Sequence, residues 1–122
     1  MAIRALIVDD NASFLDAASA LLEREGLSIA GVASTKAEAL AATRRLRPDV
    51  LLVDIKLGNE SGFELARLLT RESHDHAPSV IMISTHSREE FADLLAESSA
   101  AGFVAKSELS ARAIHEIVSD NS

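Results

Sequence analysis

Short runs of consecutive apolar residues, separated by segments with helical spacing, constrain the fold of this chain most strongly. Val50–Val53 and Val80–Ile83 each contain four apolar residues in a row, which is typical of strands covered on both faces. Ile3–Val8, Leu27–Ala33 and Phe103–Ala105 complete five strand candidates. Because strands and helices alternate along the chain, right-handed crossovers predict an α/β fold, a doubly wound parallel sheet with helices on both faces.

Five helices are predicted from apolar spacing and from residues that favour helix starts. Asn11 is positioned to cap the first helix, and Thr35–Glu38, Ser61–Glu64 and Ser87–Glu90 have the spacing of a capping box. The predicted helices are Ala12–Glu25, a helix from Thr35 to about Arg45, Gly62–Glu72, Arg88–Ala101, and a last helix that starts at Ser107 or Ser110 and ends near Ser119.

Length and composition limit the classes of protein that this chain can belong to. A chain of 122 residues can bury one core without disulfides, and since it contains no cysteine we expect a cytoplasmic protein. The net charge is −7, and the densest basic stretch, Arg44–Arg47, ends a predicted helix, where cations complement the helix dipole. We therefore expect no direct binding to nucleic acid. The apolar runs are too short for a membrane span or a signal peptide.

Polar residues directly follow four of the apolar runs. These residues are Asp9 with Asp10, Asp54, Ser84 and Lys106. The carboxyl ends of parallel strands meet at one edge of a sheet, where such folds bind their ligands. Carboxylates that share a crevice repel one another, and Mg²⁺, which prefers oxygen ligands, would relieve that repulsion. A carboxylate can also attack a phosphoryl group, with a lysine and a hydroxyl as its partners, so the pattern predicts a magnesium and phosphoryl site. Taken singly, each residue could equally be a turn former or a solvated loop residue.

These motifs resemble those of the receiver domains of two-component response regulators, which have the CheY-like, flavodoxin-like fold. The resemblance covers essentially the whole chain, and the separations of Ser84 and Lys106 from Asp54 also match the family. It implies one receiver domain over residues 1–122, with five helices and strand order 2-1-3-4-5. The segments that carry the resemblance are VDD at Val8–Asp10, LLVDIKLGNESGFEL at Leu51–Leu65, IMIS at Ile81–Ser84 and GFVAK at Gly102–Lys106.

The resemblance also implies a function. Asp54 would accept a phosphoryl group from a histidine kinase or a phosphotransfer protein, and Lys106 would pair with it. Asp9, Asp10 and Asp54, with the backbone carbonyl of Lys56, would hold Mg²⁺.

Further residues have implied roles in signalling. The Ser84 hydroxyl would be drawn toward the phosphoryl group, and Phe103 would turn inward into the space that the hydroxyl leaves. Lys56 and His86, two residues beyond Asp54 and Ser84, occupy positions that influence how long the phosphoryl group survives. The face formed by the fourth helix, fifth strand and fifth helix would bind a partner or a second copy in a homodimer.

Two departures from the family pattern lie in loops of the site. Gly58 and Ser107 stand where family members commonly have proline, so the first loop should be freer and the turn after Lys106 should be trans. The segment GFVAKSELSARAI at Gly102–Ile114 resembles receivers of the NarL/FixJ type, which usually precede a DNA-binding domain. The chain would then be either a stand-alone regulator or the receiver part of a transcription factor.

Three alternative interpretations remain. Phosphatases of the haloacid-dehalogenase kind also use an aspartate nucleophile and Mg²⁺, but they need an acid where Lys56 stands and a cap for which this chain has no room. A receiver-like scaffold that never takes phosphate would be favoured by an incomplete site. His74 and His76 lie in the most loop-like segment, Ser73–Pro78, which we expect to be mobile, but two imidazoles without further ligands are a weak metal site.

Overall fold

In the computed structural model, which describes residues 3–72 and 77–120, five parallel strands form one sheet in the order β2-β1-β3-β4-β5. The predicted strand order is therefore confirmed. His74 and His76, with most of the segment predicted to be mobile, lie outside the described residues. The strands are β1 (Arg4–Val8), β2 (Ser28–Ala33), β3 (Val50–Asp54), β4 (Ser79–Ser84) and β5 (Gly102–Ala105).

Most of the helices begin where the capping residues predict. The Asn11 and Thr35 side chains accept hydrogen bonds from the backbone N–H groups of Phe14 and Glu38, each at 3.1 Å. Ser110 rather than Ser107 starts the last helix, since its hydroxyl accepts from the backbone N–H of Ala113 at 3.0 Å. The helices are α1 (Ala12–Arg24), α2 (Lys36–Leu46), α3 (Gly62–Glu72), α4 (Ala92–Glu97) and α5 (Ala111–Asp120).

The predicted fourth helix, Arg88–Ala101, is wrong in length. The segment Arg88–Phe91 is a 3₁₀ turn, and α4 proper covers only the next six residues. Ser98 ends it, because its hydroxyl donates to the Leu95 carbonyl at 2.9 Å and accepts from the Ala100 N–H at 3.2 Å. Such local bonds replace the helical ones. No residue of α4 is buried within its described range, so this helix is held less firmly than the others.

Two apolar clusters, one on each face of the sheet, form the core. Val50–Val53 is completely buried, as four consecutive apolar residues predict, and its side chains alternate between the two faces. Leu52 packs with α1 and α5 residues such as Leu22 and Ile114 on one face, and Leu51 with α2 and α3 residues on the other. Among the described residues, no helix is long and apolar enough to cross a bilayer.

Candidate functional site

The register of the strands places the predicted polar residues side by side at the carboxyl ends of neighbouring strands. Val8 of β1 pairs with Val53 of β3, so Asp9 and Asp54 follow at the same end of neighbouring strands. Asp54 pairs with Ile83 of β4, and Ser84 pairs with Ala105 of β5. The carboxyl ends of four strands therefore present these residues at one edge of the sheet, as the parallel arrangement predicts.

Asp9, Asp10 and Asp54 form a carboxylate cluster. Each offers one oxygen, and the three oxygens lie within 4.8 Å of one another. Asp9 is completely buried, the Asp54 side chain is 13% exposed, and Asp10 is exposed to solvent. The cluster thus runs from the protein interior to the solvent-exposed surface.

Lys106 bridges two of these carboxylates. Its Nζ lies 2.5 Å from Asp9 Oδ2 and 3.4 Å from Asp54 Oδ2, and its side chain is 13% exposed. Asp9 Oδ1 accepts a further hydrogen bond from the backbone N–H of Asn11 at 2.8 Å. Both oxygens of the buried Asp9 carboxylate are therefore paired, which offsets the cost of removing its charge from water.

The pKa of Asp54 is raised above the ordinary value for an aspartate. Burial is the main cause, and the negative charge of Asp9 acts in the same direction. Lys106, and the backbone N–H of Lys56 that donates to Asp54 Oδ1 at 3.3 Å, act in the opposite direction but do not fully compensate. A site that disfavours its own carboxylate charge favours an added cation, because a nearby positive charge stabilises the ionised form.

The loop after Asp54 is built by two glycines. Lys56–Leu57 pairs with Glu60–Ser61 in a small antiparallel ladder, and Gly58 between them has φ +62°. Proline cannot adopt that φ, so the loop has a backbone conformation that a proline at position 58 would not allow. Gly62 closes the loop with a hydrogen bond from its N–H to the Ile55 carbonyl at 2.8 Å. A Cβ at Gly62 would lie 2.1 Å from the Asp54 carbonyl oxygen, so this close approach requires glycine.

Ser84 ends β4, His86 follows in the next loop, and Phe103 lies on β5, which pairs with β4. The buried Ser84 hydroxyl accepts from the backbone N–H of His86 at 3.0 Å, which leaves its own proton as the one to donate. The exposed His86 residue places its ring nearly perpendicular to that of Phe91, at a centroid distance of 6.1 Å. Phe103 is half-buried and lines, with His86, a groove of about 540 Å³ between the β4–α4 loop and α5.

Sequence analysis missed the roles of two residues. Phe14 has the spacing of a core residue, but its ring lies under the Lys106 ammonium, with Nζ 4.3 Å from the ring centroid. The sequence pattern of Gly62 predicts only the start of a helix. No local pattern could reveal either role, because both depend on contacts with residues distant in the chain.

Comparison with known proteins agrees with this geometry. The family model for the response regulator receiver domain matches residues 5–119. GacA, a response regulator of Pseudomonas viridiflava, is 32% identical over 105 residues, which are 85% of this chain and 48% of GacA.

Two solved structures share the fold. A LuxR-family two-component response regulator from Aurantimonas sp. SI85-9A1 is 26% identical with a TM-score of 0.86, over 98% of this chain and 87% of that one. The signal receiver domain of NarL from Mycobacterium tuberculosis, 23% identical, has a TM-score of 0.84 over 97% of both chains and shows the fold alone.

The five-stranded parallel sheet in the order β2-β1-β3-β4-β5 defines a CheY-like domain of the doubly wound α/β class. The chain belongs to the family of response regulator receiver domains, which function in two-component signalling. The resemblance to receiver domains found in the sequence is thereby confirmed, and a NarL receiver domain is also among the structural neighbours. The chain spans about half the length of curated relatives such as GacA.

Proposed function

We propose that residues 1–122 form a receiver domain in which Asp54 accepts a phosphoryl group from a histidine kinase or a phosphotransfer protein. The observation that carries this proposal is the position of the Lys106 ammonium, which contacts both Asp9 and Asp54 at the edge of a three-carboxylate cluster. Lysine and acids in this arrangement suit a reaction that needs charge neutralisation and positioning more than covalent chemistry from the protein.

In the proposed reaction, an Asp54 carboxylate oxygen forms a bond to phosphorus. The phosphorus–nitrogen bond of a phosphohistidine donor breaks, and its electron pair stays on the imidazole nitrogen. Lys106, already 3.4 Å from Asp54 Oδ2, pairs with the incoming phosphoryl oxygens. The Ser84 hydroxyl, at the end of the neighbouring strand, donates a hydrogen bond to one of them, and Phe103 is the proposed partner in the accompanying rearrangement.

The donor set fits Mg²⁺. Carboxylate oxygens of Asp9, Asp10 and Asp54 lie within 4.8 Å of one another, and we propose that they hold the ion with the backbone carbonyl of Lys56. Magnesium ions in proteins take oxygen ligands and keep several waters. When bound, the ion would supply positive charge that neutralises both the acidic cluster and the phosphoryl oxygens.

Phosphoryl uptake from acetyl phosphate tests the proposal. Incubation with acetyl phosphate and Mg²⁺ should add the mass of one phosphoryl group, and Asp54→Ala should abolish the adduct. Omission of Mg²⁺ should slow uptake strongly. Without Mg²⁺, the raised pKa of Asp54 should make the residual uptake fall at a higher pH than an ordinary aspartate would, and added Mg²⁺ should shift that fall to lower pH.

The control for this experiment is Asp16→Ala, which removes an exposed acid on α1. It should take up phosphoryl groups at the wild-type rate. An adduct that persists in Asp54→Ala would contradict the proposal, and an adduct absent from the wild type would favour the phosphorylation-independent scaffold. Turnover of phosphate monoesters would favour the phosphatase, although Lys56 stands where that class needs an acid.

Lys56 and His86 are the proposed modulators of phosphoryl lifetime. Both side chains are exposed. The backbone N–H of Lys56 donates to the Asp54 carboxylate, and the backbone N–H of His86 donates to the Ser84 hydroxyl. Lys56→Ala and His86→Ala should each open a path for water and speed dephosphorylation, by about threefold to tenfold. The loss of the adduct with time measures this rate. Arg24→Ala on α1 is the control and should lose the adduct at the wild-type rate. If Lys56→Ala and His86→Ala also kept that rate, neither residue would be a modulator of phosphoryl lifetime.

We propose the α4-β5-α5 face as the output surface, which binds a partner or a second copy. The groove lined by His86, Phe103 and Ile117 lies on this face. The α4 helix, which follows His86 in the chain, carries the exposed Leu94. Sedimentation of the phosphorylated and unphosphorylated samples at equal concentration tests the homodimer. An unchanged sedimentation coefficient would leave a partner protein as the proposed ligand of this face.

A further inference from the structure

The Lys106 ammonium has a third neighbour besides the two carboxylates. Its Nζ lies 4.3 Å from the centroid of the Phe14 ring, within the range at which a cation is attracted to the face of an aromatic ring. An ammonium group has three N–H donors. Asp9, Asp54 and the Phe14 ring are therefore three partners within reach of the Lys106 nitrogen.

Phe14 is itself fixed to the same carboxylate by a short chain of contacts. Its backbone N–H donates to the Asn11 side chain at 3.1 Å, and the Asn11 N–H donates to Asp9 Oδ1 at 2.8 Å. Asp9 Oδ2 accepts from Lys106, whose ammonium lies over the Phe14 ring. These contacts form a closed cycle, which runs from Asp9 through Asn11, Phe14 and Lys106 and returns to Asp9.

We propose that Phe14 is a positioning residue, which holds the Lys106 ammonium between Asp9 and Asp54 through the face of its ring. The inference depends on the proposed function, because Lys106 serves there as the partner of the phosphoryl group. The half-buried ring packs against the α1–α5 side of the core, so its position is set by the fold rather than by the lysine.

The consequence concerns the step at which phosphate arrives. Lys106 is closer to Asp9 than to Asp54, so a phosphoryl group on Asp54 would add a new anionic partner to an ammonium that lies nearest Asp9. An aromatic face attracts a cation without a fixed hydrogen-bond direction, so it can keep contact with the ammonium as the partners change. A leucine at position 14 would fill most of the space but would not attract the charge.

The test compares Phe14→Leu, Phe14→Tyr and the wild type by two measurements. The first is the proton shift of the Lys106 Cε methylene group, which the ring should move upfield in the wild type and in Phe14→Tyr but not in Phe14→Leu. The second is the rate of uptake from acetyl phosphate with Mg²⁺, which Phe14→Leu should lower by about fivefold. Phe14→Tyr should retain the wild-type rate, since a tyrosine ring also attracts cations.

Phe63→Leu is the matched control, since Phe63 is a partly buried phenylalanine that packs on the opposite face of the sheet. It should leave the Lys106 shift unchanged. Equal uptake by Phe14→Leu and the wild type would overturn the proposal, and so would a failure of Phe14→Tyr to keep the wild-type rate. It would also be overturned if the Cε protons of Lys106 in the wild type showed no upfield shift. A wild type that takes up no phosphoryl group would instead contradict the proposed function, and the shift comparison would still decide how Lys106 is held.

Discussion

Lys106→Met is expected to lower the free energy of unfolding by about 3 kcal/mol at neutral pH without Mg²⁺. The substitution keeps an unbranched side chain but removes the cation that contacts Asp9, which is completely buried, and Asp54, which is 13% exposed. A buried carboxylate without its partner costs far more than an ion pair at the surface contributes. Urea unfolding followed by circular dichroism measures the loss, because the chain contains neither tryptophan nor tyrosine.

The loss should depend on pH and on Mg²⁺ with a defined sign. Lys106 lowers the pKa of Asp54, so its removal raises that pKa further. At pH values above the pKa of Asp54 in the folded state, the ionised carboxylate then destabilises the fold. This destabilisation disappears as the pH falls below that pKa and Asp54 becomes protonated. The difference between the variant and the wild type should therefore be largest at neutral pH and shrink in acid. Added Mg²⁺ should restore part of the stability, since a bound ion stabilises the folded state.

Lys36→Met provides the matched control. Lys36 pairs with Glu64 at 3.1 Å, but the two side chains are 26% and 46% exposed. An exposed pair of this kind contributes about 0–1 kcal/mol, so this variant should unfold close to the wild type and respond little to Mg²⁺. Equal losses in the two lysine variants would contradict the account of Lys106 as the counter-ion of a buried acid.

Gly62→Ala is expected to destabilise the fold by about 3 kcal/mol and to slow phosphoryl uptake on Asp54. The added Cβ would lie 2.1 Å from the Asp54 carbonyl oxygen and 3.0 Å from Met82 Cε. A side chain end can move, but the Asp54 carbonyl belongs to the backbone that carries the proposed phosphoacceptor. The backbone must therefore shift, and the shift reaches the site directly. Urea unfolding and adduct formation measure the two effects.

Gly26→Ala separates backbone conformation from steric contact. Gly26 has φ +95° at the end of α1, and among the described residues beyond its two chain neighbours no heavy atom lies within 4 Å of where its Cβ would be. This variant should lose about 1 kcal/mol, because an alanine is strained at positive φ, and it should take up phosphoryl groups at the wild-type rate. If Gly26→Ala slowed uptake as much as Gly62→Ala, a general loss of stability would explain both results.

Local pattern was sufficient for the framework of this domain. Apolar runs such as Val50–Val53 predict buried parallel strands, and the residues after them predict which side chains meet, since parallel strands end at one edge. Asn11, Thr35 and Ser110 each cap a helix through hydrogen bonds to residues three positions away. These features depend on neighbours in the chain, and such neighbours can be recognised without a structure.

Local pattern failed where distant contacts or competing hydrogen bonds decide the outcome. The Ser98 hydroxyl competes for backbone groups and ends α4 early, although the alanine-rich segment around it favours a helix. Phe14 has the spacing of an ordinary core residue, yet its ring faces a lysine 92 positions further along the chain. Gly62 is needed because the chain folds back onto the Asp54 carbonyl.

Most helix starts and the identity of the acidic edge thus follow from residue types and their spacing, because backbone geometry alone carries them. The strand order is implied by the resemblance to a known family rather than by spacing. Packing decides three other features of the site. These are the complete burial of Asp9, the contact of Lys106 with two carboxylates and the position of the Phe14 ring against the Lys106 ammonium. Burial changes the cost of a charge, and only the folded chain fixes which charges lose contact with water and which groups replace it.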